Sequence, residues 1–260
     1  MSTLQPKSLK VLLLGDACTD VYHYGECRRL SPEAPVPVFK ETYTEQMSGM
    51  GANVVANLRS LGVTTTMVTD SKPIEKHRYV DQKTKQHLLR VDVGDDLRSD
   101  EYVPSPEHFK GMDAVVISDY DKGFLVPAIC RRITDYCAEK DIPVFVDSKK
   151  QDLSCYKSSI VKINEDEASL LVRLPETSEL IITLGAAGAK YKNNIYPTES
   201  VEVFDVCGAG DVFLASFAFK YLVTSDIIES IKTANRCAAH SVTKFGTYVL
   251  TKEDIDGLRI

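Results

Sequence analysis

The sequence has no excess of positive charge and no long hydrophobic run, and each absence excludes a class of protein. Among its 260 residues, 31 are Lys or Arg and 37 are Asp or Glu, which gives a formal net charge of −6. A balance of that sign offers no broad surface for nucleic acid or for an anionic membrane. The longest apolar stretches, such as residues 11–14, are strand-sized and far below the ~20 residues of a membrane span. We therefore expect no nucleic-acid and no membrane partner.

The sequence also lacks a secretory signal and a paired cysteine motif. Its first residues are polar, without the apolar core of a signal peptide. The seven cysteines are an odd number, and none of them form a Cys-x-x-Cys pair. That usage is typical of buried thiols in a reducing compartment. We expect a cytoplasmic protein.

Short apolar runs alternate with amphipathic stretches along most of the chain. The runs predict strands at residues 9–15, 64–69, 114–118, 144–147, 160–163 and 180–184. The stretches predict helices at residues 53–61, 126–139, 165–172, 209–222 and 227–244. This alternation predicts an α/β fold, a mostly parallel sheet flanked by helices on both faces, with ligands at the carboxyl ends of the strands.

Two segments break this alternation and have the pattern of half-exposed strands. Apolar and polar residues alternate over residues 36–45 and 77–92. We interpret them as a small β-strand lid, with strands at roughly 35–46 and 76–92, attached to the main domain. No internal repeat, low-complexity tract or long linker is present, so we predict that residues 1–260 form a single domain.

The strongest chemical signal is Asp205-Val-Cys-Gly-Ala-Gly-Asp211, which leads into an apolar helix. Small residues let the backbone turn tightly and direct several N–H groups at one point, which creates an anion site. A carboxylate beside that site suits a reaction in which a hydroxyl loses its proton while it attacks a phosphoryl group. A glycine-rich turn capped by an aspartate explains the same residues without any chemistry. The motif alone does not decide between these alternatives.

In this motif the chain resembles the ribokinase-like, or PfkB, carbohydrate kinases, and the resemblance extends over nearly its whole length. A second signature of that family, a glycine pair before Ala-x-Asn, matches Ser48-Gly-Met-Gly-Ala-Asn53, although Met50 separates the glycines. Further segments resemble one branch of the family, the heptose 7-phosphate kinase domain of bifunctional ADP-heptose synthases. These segments are residues 15–22, 29–38, 118–123 and 244–247, of which the run Ser31-Pro-Glu-Ala-Pro-Val-Pro-Val38 is the most specific.

The resemblance implies a role for each residue of the motif. Asp211 would be the general base that takes the proton of the sugar hydroxyl. Gly208, Ala209 and Gly210 would form the anion hole for the transferred phosphoryl group. The family also uses ATP and Mg²⁺, and a monovalent cation near Asp205 is left open.

The resemblance also implies a nucleotide site. Asn164 and Glu167 match the Asn-x-x-Glu element that orders magnesium and its waters, a role suited to oxygen ligands. The same two residues also fit a helix capping box, and both interpretations can hold together. The residues expected to border the nucleotide phosphates are Lys149, Thr183, Gly185 and Gly188. Asn235 would flank the adenine, and a solvent-facing Asn is the alternative.

The sugar site is expected at the lid. Asp20, Gly49, Gly51 and Asn53 match positions that hold sugar hydroxyls, which suit a carboxylate together with an amide. For Asp20, the alternative is an ordinary loop aspartate.

A phosphate on the sugar would need cations, and the second lid segment supplies them. Lys76, Arg78, Gln86 and Arg90 match the branch, whereas Glu75 and His87 depart from it. Lys binds phosphate as a point charge and Arg as a fork. The alternative for Arg78 is a solvated strand face.

One part of the family pattern is missing. Relatives have a strand, a turn, a helix and another strand between Val63 and the lid, whereas here residues 64–70 lead directly into residues 71–76. The catalytic half after residue 113 matches throughout.

We predict an ATP- and Mg²⁺-dependent kinase that phosphorylates O1 of D-glycero-D-manno-heptose 7-phosphate in ADP-heptose synthesis. The alternatives are a kinase of another sugar, sugar phosphate or nucleoside, and a non-catalytic binding homologue. A homodimer through the lid strands and a separate nucleotidyltransferase are the partners expected with the predicted function.

Overall fold

The computed structural model describes residues 8–95 and 104–260, in which twelve strands and six helices follow one another. The strands are Lys10–Gly15 (β1), Ala17–Leu30 (β2), Pro37–Met50 (β3), Thr64–Val68 (β4), Glu75–Asp81 (β5), His87–Val93 (β6), Ala114–Asp119 (β7), Val144–Ser148 (β8), Ile160–Asn164 (β9), Glu179–Thr183 (β10), Ala189–Tyr191 (β11) and Asn194–Tyr196 (β12). The helices are Gly51–Ser60 (α1), Pro127–Glu139 (α2), Glu165–Ser169 (α3), Ala209–Thr224 (α4), Ile227–Ser241 (α5) and Lys252–Leu258 (α6).

An eight-stranded sheet forms the centre of the fold, in the order β12-β11-β10-β9-β8-β7-β1-β4. Its strands from β10 to β4 are parallel, and β11 and β12 add an antiparallel edge. Successive residues of β1 face opposite sides: Leu13 packs with α1 and α4, and Leu12 packs with α2. The predicted sheet with helices on both faces is confirmed.

A second, four-stranded sheet has the order β3-β2-β5-β6 and corresponds to the predicted lid. β2 is antiparallel to β3 and parallel to β5, and β5 and β6 form a hairpin. One face of this sheet packs Tyr22, Tyr24 and Val80 against Met47 and Phe245. The lid therefore packs against the segment that follows α5.

The lid differs from its prediction in two respects. Strand β2 was not predicted, because its polar and small residues, Ala17 to Leu30, give no clear alternation. The predicted strand at 76–92 is two strands, since Asp81 Oδ1 accepts the N–H groups of Lys83 and Thr84 and closes a turn. Gln86 consequently lies in the turn and not in a strand.

Two predicted helices end early, at points where the backbone takes another partner. α3 ends at Ser169 and not at residue 172, since Val172 N–H donates to Gln151 O. α5 ends at Ser241 and not at residue 244, and the carbonyl of Val242 then accepts the N–H groups of Phe204 and Asp205. The end of α5 thus holds the segment that leads into the motif.

The connection between β4 and β5 is short, as expected from the missing family unit. Residues 69–74 contain neither strand nor helix, and β4 is the edge strand of the central sheet. A cavity of about 430 Å³ lies beside this connection and is lined by Cys18, Ser48 and Pro73, among others.

Across residues 8–95 and 104–260, no helix combines the length and the apolar composition that crossing a bilayer requires.

Candidate active site

Asp211 lies in the first turn of α4, at the carboxyl end of the central sheet. The helix begins after Gly208, which adopts a left-handed backbone conformation with φ 75°. The Asp211 side chain is buried, and its two oxygens have different donors. Asn53 Nδ2 donates to Oδ2 over 3.1 Å, and the Tyr120 hydroxyl donates to Oδ1 over 3.1 Å. Each carboxylate oxygen has room for a second donor, so the arrangement suits a base that accepts a proton.

The glycines of the motif are required by their surroundings. A Cβ at Gly208 would lie 2.7 Å from Asn53 Nδ2, the group that holds Asp211. A Cβ at Gly210 would lie 2.8 Å from Lys162 Nζ. Ala209 N–H donates to Val206 O over a long 3.3 Å, which leaves it weakly engaged. The turn is thus narrow, since neither glycine position has room for a side chain.

Asn53 reaches Asp211 from α1, where a second asparagine fixes it. Asn57, one turn further on, donates to the carbonyl and Oδ1 of Asn53. The Oδ1 of Asn57 in turn accepts the N–H of Leu250. Asn53 was predicted to bind sugar, and the structure brings it to Asp211, the predicted base.

The pKa of Asp211 is raised to about 6, chiefly because burial disfavours its charged form. The nearby carboxylate of Asp147 raises it further, while Asn53, Lys162 and Tyr120 lower it. Asp147 Oδ2 accepts a 2.7 Å hydrogen bond from Lys162, and its Oδ1 is buried without a hydrogen-bond partner in the described part of the chain. A base with a pKa near 6 is ionised at neutral pH and is still able to take a proton.

A cavity of about 570 Å³ opens on the other side of the motif, between the ends of β9 and β10 and helix α5. Its lining brings together five of the residues predicted for the nucleotide site: Asn164, Thr183, Gly185, Gly188 and Asn235. Ala209 and Gly210 line it as well, so it reaches the turn beside Asp211. The opposite walls are apolar and include Val203, Phe213 and Ala238. A cavity with apolar walls and a backbone-rich end suits a nucleotide.

The surroundings of two residues of this cavity exclude one alternative for Asn235 and explain why residue 188 is a glycine. Asn235 is buried and donates to Tyr196 O over 2.7 Å, so the solvent-facing alternative is wrong. Gly188 has φ 95°, and the carbonyl of Tyr196 lies where a Cβ would be, which excludes any side chain there.

Asn164 and Glu167 form the capping box of α3 and carry the predicted magnesium site. Asn164 Oδ1 accepts the Glu167 N–H, and Glu167 Oε2 accepts the Asn164 N–H, each over 2.8 Å. Lys149 forms an ion pair with Glu167. Burial alone would lower the pKa of Lys149, but Asp147 and Glu167 outweigh it and raise the value. A carboxylate and an amide oxygen fit Mg²⁺, and because the capping box already engages both, ligation through water suits them best.

Asp20 and Arg78 form an ion pair that is buried at the base of the lid. The Arg78 guanidinium also lies 5.3 Å from the centre of the Tyr22 ring. Neither the loop-aspartate nor the solvated-face alternative holds, since both side chains are less than 10% exposed. Gly49 lies against this pair, because a Cβ there would meet Asp20 and, at 2.5 Å, Cys18 Sγ. Gly51 is the first residue of α1, after Met50, whose φ of 54° is unusual for a residue with a side chain.

Two of the other predicted phosphate ligands, Lys76 and Arg90, lie on the same face of the lid as Arg78, and Gln86 does not. Lys76 Nζ lies 5.5 Å from the centre of the Tyr120 ring. Arg90 is the cross-strand neighbour of Arg78 but is mostly exposed and pairs with Asp92 over 2.7 Å. Gln86 is exposed in the turn, away from Asp20 along β5.

Four residues near the base were not predicted: Asn57, Tyr120, Asp147 and Lys162. Asp147 and Tyr120 stand at the polar ends of β8 and β7, which was a usable signal. Lys162 is a single charge inside an apolar strand, which is unusual for a buried position unless it is paired. Asn57 offered no signal beyond its one-turn spacing from Asn53.

Comparison with known proteins identifies the family of the chain. Residues 107–254, more than half of the chain, match the family described as pfkB family carbohydrate kinase. The chain belongs to this family. By its family it is therefore a carbohydrate kinase, that is, a phosphotransferase whose acceptor is an alcohol group.

A curated relative, the bifunctional protein HldE of Campylobacter curvus, is 32% identical over 305 aligned positions. The alignment covers 97% of this chain and 65% of that relative, so the chain spans less than two thirds of the length of the relative. The aligned length exceeds the 260 residues of the chain, which means that the relative carries insertions.

Solved structures share the fold. Ribokinase from Arabidopsis thaliana, complexed with ribose and ATP, has a TM-score of 0.70 at 16% identity, covering 96% of this chain and 98% of that one. Phosphofructokinase-2 from Escherichia coli, in complex with potassium, has a TM-score of 0.71 at 15% identity, covering 96% and 97%. At these identities the similarity establishes the ribokinase-like fold.

Proposed function

We propose that this protein uses Mg²⁺-ATP to phosphorylate O1 of a heptose 7-phosphate, D-glycero-D-manno-heptose 7-phosphate. The observation that carries the proposal is the position of Asp211. Asp211 directly follows Ala209 and Gly210, which line the 570 Å³ cavity. On its other side, the carboxylate accepts the hydroxyl of Tyr120, whose ring centre lies 5.5 Å from Lys76 Nζ of the lid. A base between a nucleotide site and a cationic sugar site is the arrangement that phosphoryl transfer to a hydroxyl requires.

ATP is proposed for the 570 Å³ cavity. The apolar walls would take the adenine, and Gly185, Gly188 and Thr183 would border the phosphates. Lys149 would lie beside the terminal phosphates, and the turn of Gly208, Ala209 and Gly210 would receive the transferred group. Magnesium, held through water by Asn164 and Glu167, would supply charge neutralisation of the phosphates.

The sugar is proposed to lie between the lid and Asp211. Asp20, Gly49 and Asn53 would contact its hydroxyls, and its 1-hydroxyl would donate to Asp211. Lys76, Arg78 and Arg90 lie on the same face of β5 and β6, where a phosphate on the far end of the sugar would meet them. The similarity to HldE over 97% of the chain supports a heptose as this sugar.

The experiment is a panel of sugars and sugar phosphates with Mg²⁺-ATP, read by coupled ADP release and by ³¹P NMR of the product. Heptose 7-phosphate is expected to give the highest kcat/KM, with a new anomeric phosphate resonance. A higher value for fructose phosphate, a free hexose or a nucleoside would assign the other sugar. If no compound of the panel causes ADP release but calorimetry shows that the nucleotide binds, the protein is the non-catalytic homologue.

Three further properties belong to the same proposal. We propose a cytoplasmic location, with which the seven free cysteines are consistent. A homodimer through the lid is supported by the exposed Leu89, Val91 and Val93 on edge strand β6, and light scattering at micromolar concentration tests it. A nucleotidyltransferase acting on the product remains a predicted separate partner.

A monovalent cation near Asp205 is proposed as well. The two Asp205 oxygens accept the N–H groups of Cys207 and Gly246, each over 2.9 Å, which orients the carboxylate beside the anion hole. A potassium complex of phosphofructokinase-2 supports the idea. Turnover in potassium against tetramethylammonium chloride tests it.

A further inference from the structure

Tyr120 follows β7 and is held firmly in place by its backbone. Its N–H donates to Asp16 Oδ2 over 2.8 Å, and the next N–H, of Asp121, donates to Asp119 Oδ1 over 3.0 Å. Two buried carboxylates therefore fix the turn on which the ring is carried. The ring position is set independently of any ligand.

The Tyr120 ring lies between the two proposed substrate sites. Lys76 of the lid and Lys149 of the nucleotide side each place Nζ 5.5 Å from the ring centre. Its hydroxyl points to the base and donates to Asp211 Oδ1 over 3.1 Å. Burial and the Asp211 carboxylate raise the pKa of Tyr120 well above its usual range, so the hydroxyl keeps its proton and acts as the donor.

We propose that Tyr120 is a positioning residue that orients the Asp211 carboxylate and stabilises its ionised form. This inference rests on the proposed role of Asp211 as the base. If Asn53 were the only donor, it would hold only Oδ2, and the Asp211 carboxylate would be able to rotate about that one hydrogen bond. With Tyr120 on Oδ1, the plane of the carboxylate is defined, and one lone pair on each oxygen remains for the sugar hydroxyl.

The electrostatic part of the role follows from the groups around Asp211. Asp147 on β8 opposes ionisation, and Lys162 on β9 favours it. Lys149 after β8 and Cys18 on β2 are the other titratable groups that interact with it. Among the neutral donors, Asn53 and Tyr120 lower the pKa. Removing the Tyr120 hydroxyl therefore raises the pKa of Asp211 above about 6.

The test uses Tyr120→Phe, which keeps the ring between the two lysines, and Tyr156→Phe as the matched control. Tyr156 is also buried and donates to a carboxylate, that of Asp119, without contacting Asp211. In the pH profile of kcat/KM with heptose 7-phosphate, the acid limb of Tyr120→Phe is expected to move up by about one pH unit. That shift corresponds to a loss of about fivefold at pH 6 and less than twofold at pH 8.5. Tyr156→Phe should melt at a lower temperature with an unmoved acid limb.

A second readout is independent of the sugar. In protein labelled with ¹³C at aspartate carboxyls, the Asp211 resonance is assigned by its loss in Asp211→Asn, and its titration is followed without ligands. An upward shift in Tyr120→Phe but not in Tyr156→Phe supports the inference. An unchanged midpoint in Tyr120→Phe, or an equal shift in both variants, overturns it. If the midpoint shifts while the wild type phosphorylates no sugar, the coupling is supported and the proposed function fails.

Discussion

Lys162 Nζ donates a 2.7 Å hydrogen bond to Asp147 Oδ2, and this buried ion pair lies directly against the glycine turn of the motif. The two residues are register partners on β9 and β8. They act on the pKa of Asp211 in opposite directions. The pair therefore joins two neighbouring strands and also affects the ionisation of Asp211.

We expect Lys162→Met to destabilise the protein by about 3–5 kcal/mol, because it leaves the Asp147 carboxylate buried and unpaired. The same change removes a cation from the surroundings of Asp211, so the acid limb of kcat/KM moves to higher pH. Urea unfolding and a pH profile measure the two effects. The double variant Lys162→Met/Asp147→Leu is the control and should recover part of the stability. Equal stability of Lys162→Met and wild type would contradict this account.

Replacing the base has a separate and larger effect on turnover. Asp211→Asn keeps the size of the side chain and a contact with Asn53 or Tyr120. The amide that replaces the carboxylate cannot take a proton. We expect kcat to fall by about 10³-fold, within the range for loss of a general base, while ATP binding stays within about twofold. Coupled ADP release and calorimetry measure these quantities. Near-normal turnover would remove Asp211 from the proposed role.

The raised pKa of Asp211 also predicts a pH dependence of stability. Its ordinary value is 3.8 and its folded value about 6, so the folded state binds the proton more tightly than the unfolded state. The associated stability is present below pH 4 and is lost as the pH rises through 6, by on the order of 2–3 kcal/mol. Asp16, also raised to about 6, acts in the same direction. The contribution of Asp16 is the same in Asp211→Asn and in wild type, so it cancels in the difference between them. The free energy of unfolding of the variant minus that of wild type should therefore increase between pH 4 and pH 8. A flat difference would contradict the raised pKa.

How far the sequence could predict this site depends on the range of the interactions. The turn from Asp205 to Asp211 is local, so its glycines and carboxylate indicate an anion site beside a carboxylate as one of two alternatives. The family resemblance, and not the motif alone, led to the prediction of a base. The donor Asn53 is 158 residues away in the chain, and its contact depends on how α1 packs against α4. Tyr120 follows strand β7, and Lys162 lies in strand β9. Their roles follow from the order of β7, β8 and β9 in the sheet, which alternating apolar runs do not specify.

The strands of the fold also divide into those that the local sequence predicts and those that depend on their neighbours. The six predicted strands of the central sheet all form. In five of them a nearly continuous apolar run suffices for a buried strand, whereas edge strand β4 is rich in threonine, which favours strands. Strands β2, β11 and β12 were not predicted, because they are partly exposed or only three residues long and depend on their neighbours for pairing.

The close approach of Gly208 to Asn53 predicts that a single methyl group impairs the site. Gly208→Ala adds a Cβ 2.7 Å from Asn53 Nδ2 at a residue with φ 75°, so it combines backbone strain with displacement of the Asp211 donor. We expect kcat to fall by at least about tenfold, as for other displaced catalytic groups. Gly111→Ala is the control, with φ 73° and nothing within 4 Å of the new Cβ. It should lose about 1 kcal/mol of stability and keep its kcat, and equal kinetics for the two variants would contradict the contact.

The buried pair of Asp20 and Arg78 predicts strong coupling between the two residues. Asp20→Asn leaves the guanidinium unpaired and Arg78→Met leaves the carboxylate unpaired, so each single change should destabilise by about 3–5 kcal/mol and the double variant by less than their sum. The exposed pair of Arg90 and Asp92 is the control, and its cycle should give under about 1 kcal/mol. If Asp20 contacts the sugar, Asp20→Asn also raises the KM for the sugar at least about tenfold, because a hydrogen bond to a charged group is lost, and it leaves the KM for ATP unchanged. Additive stabilities in the Asp20 and Arg78 cycle would show that the pair is not coupled.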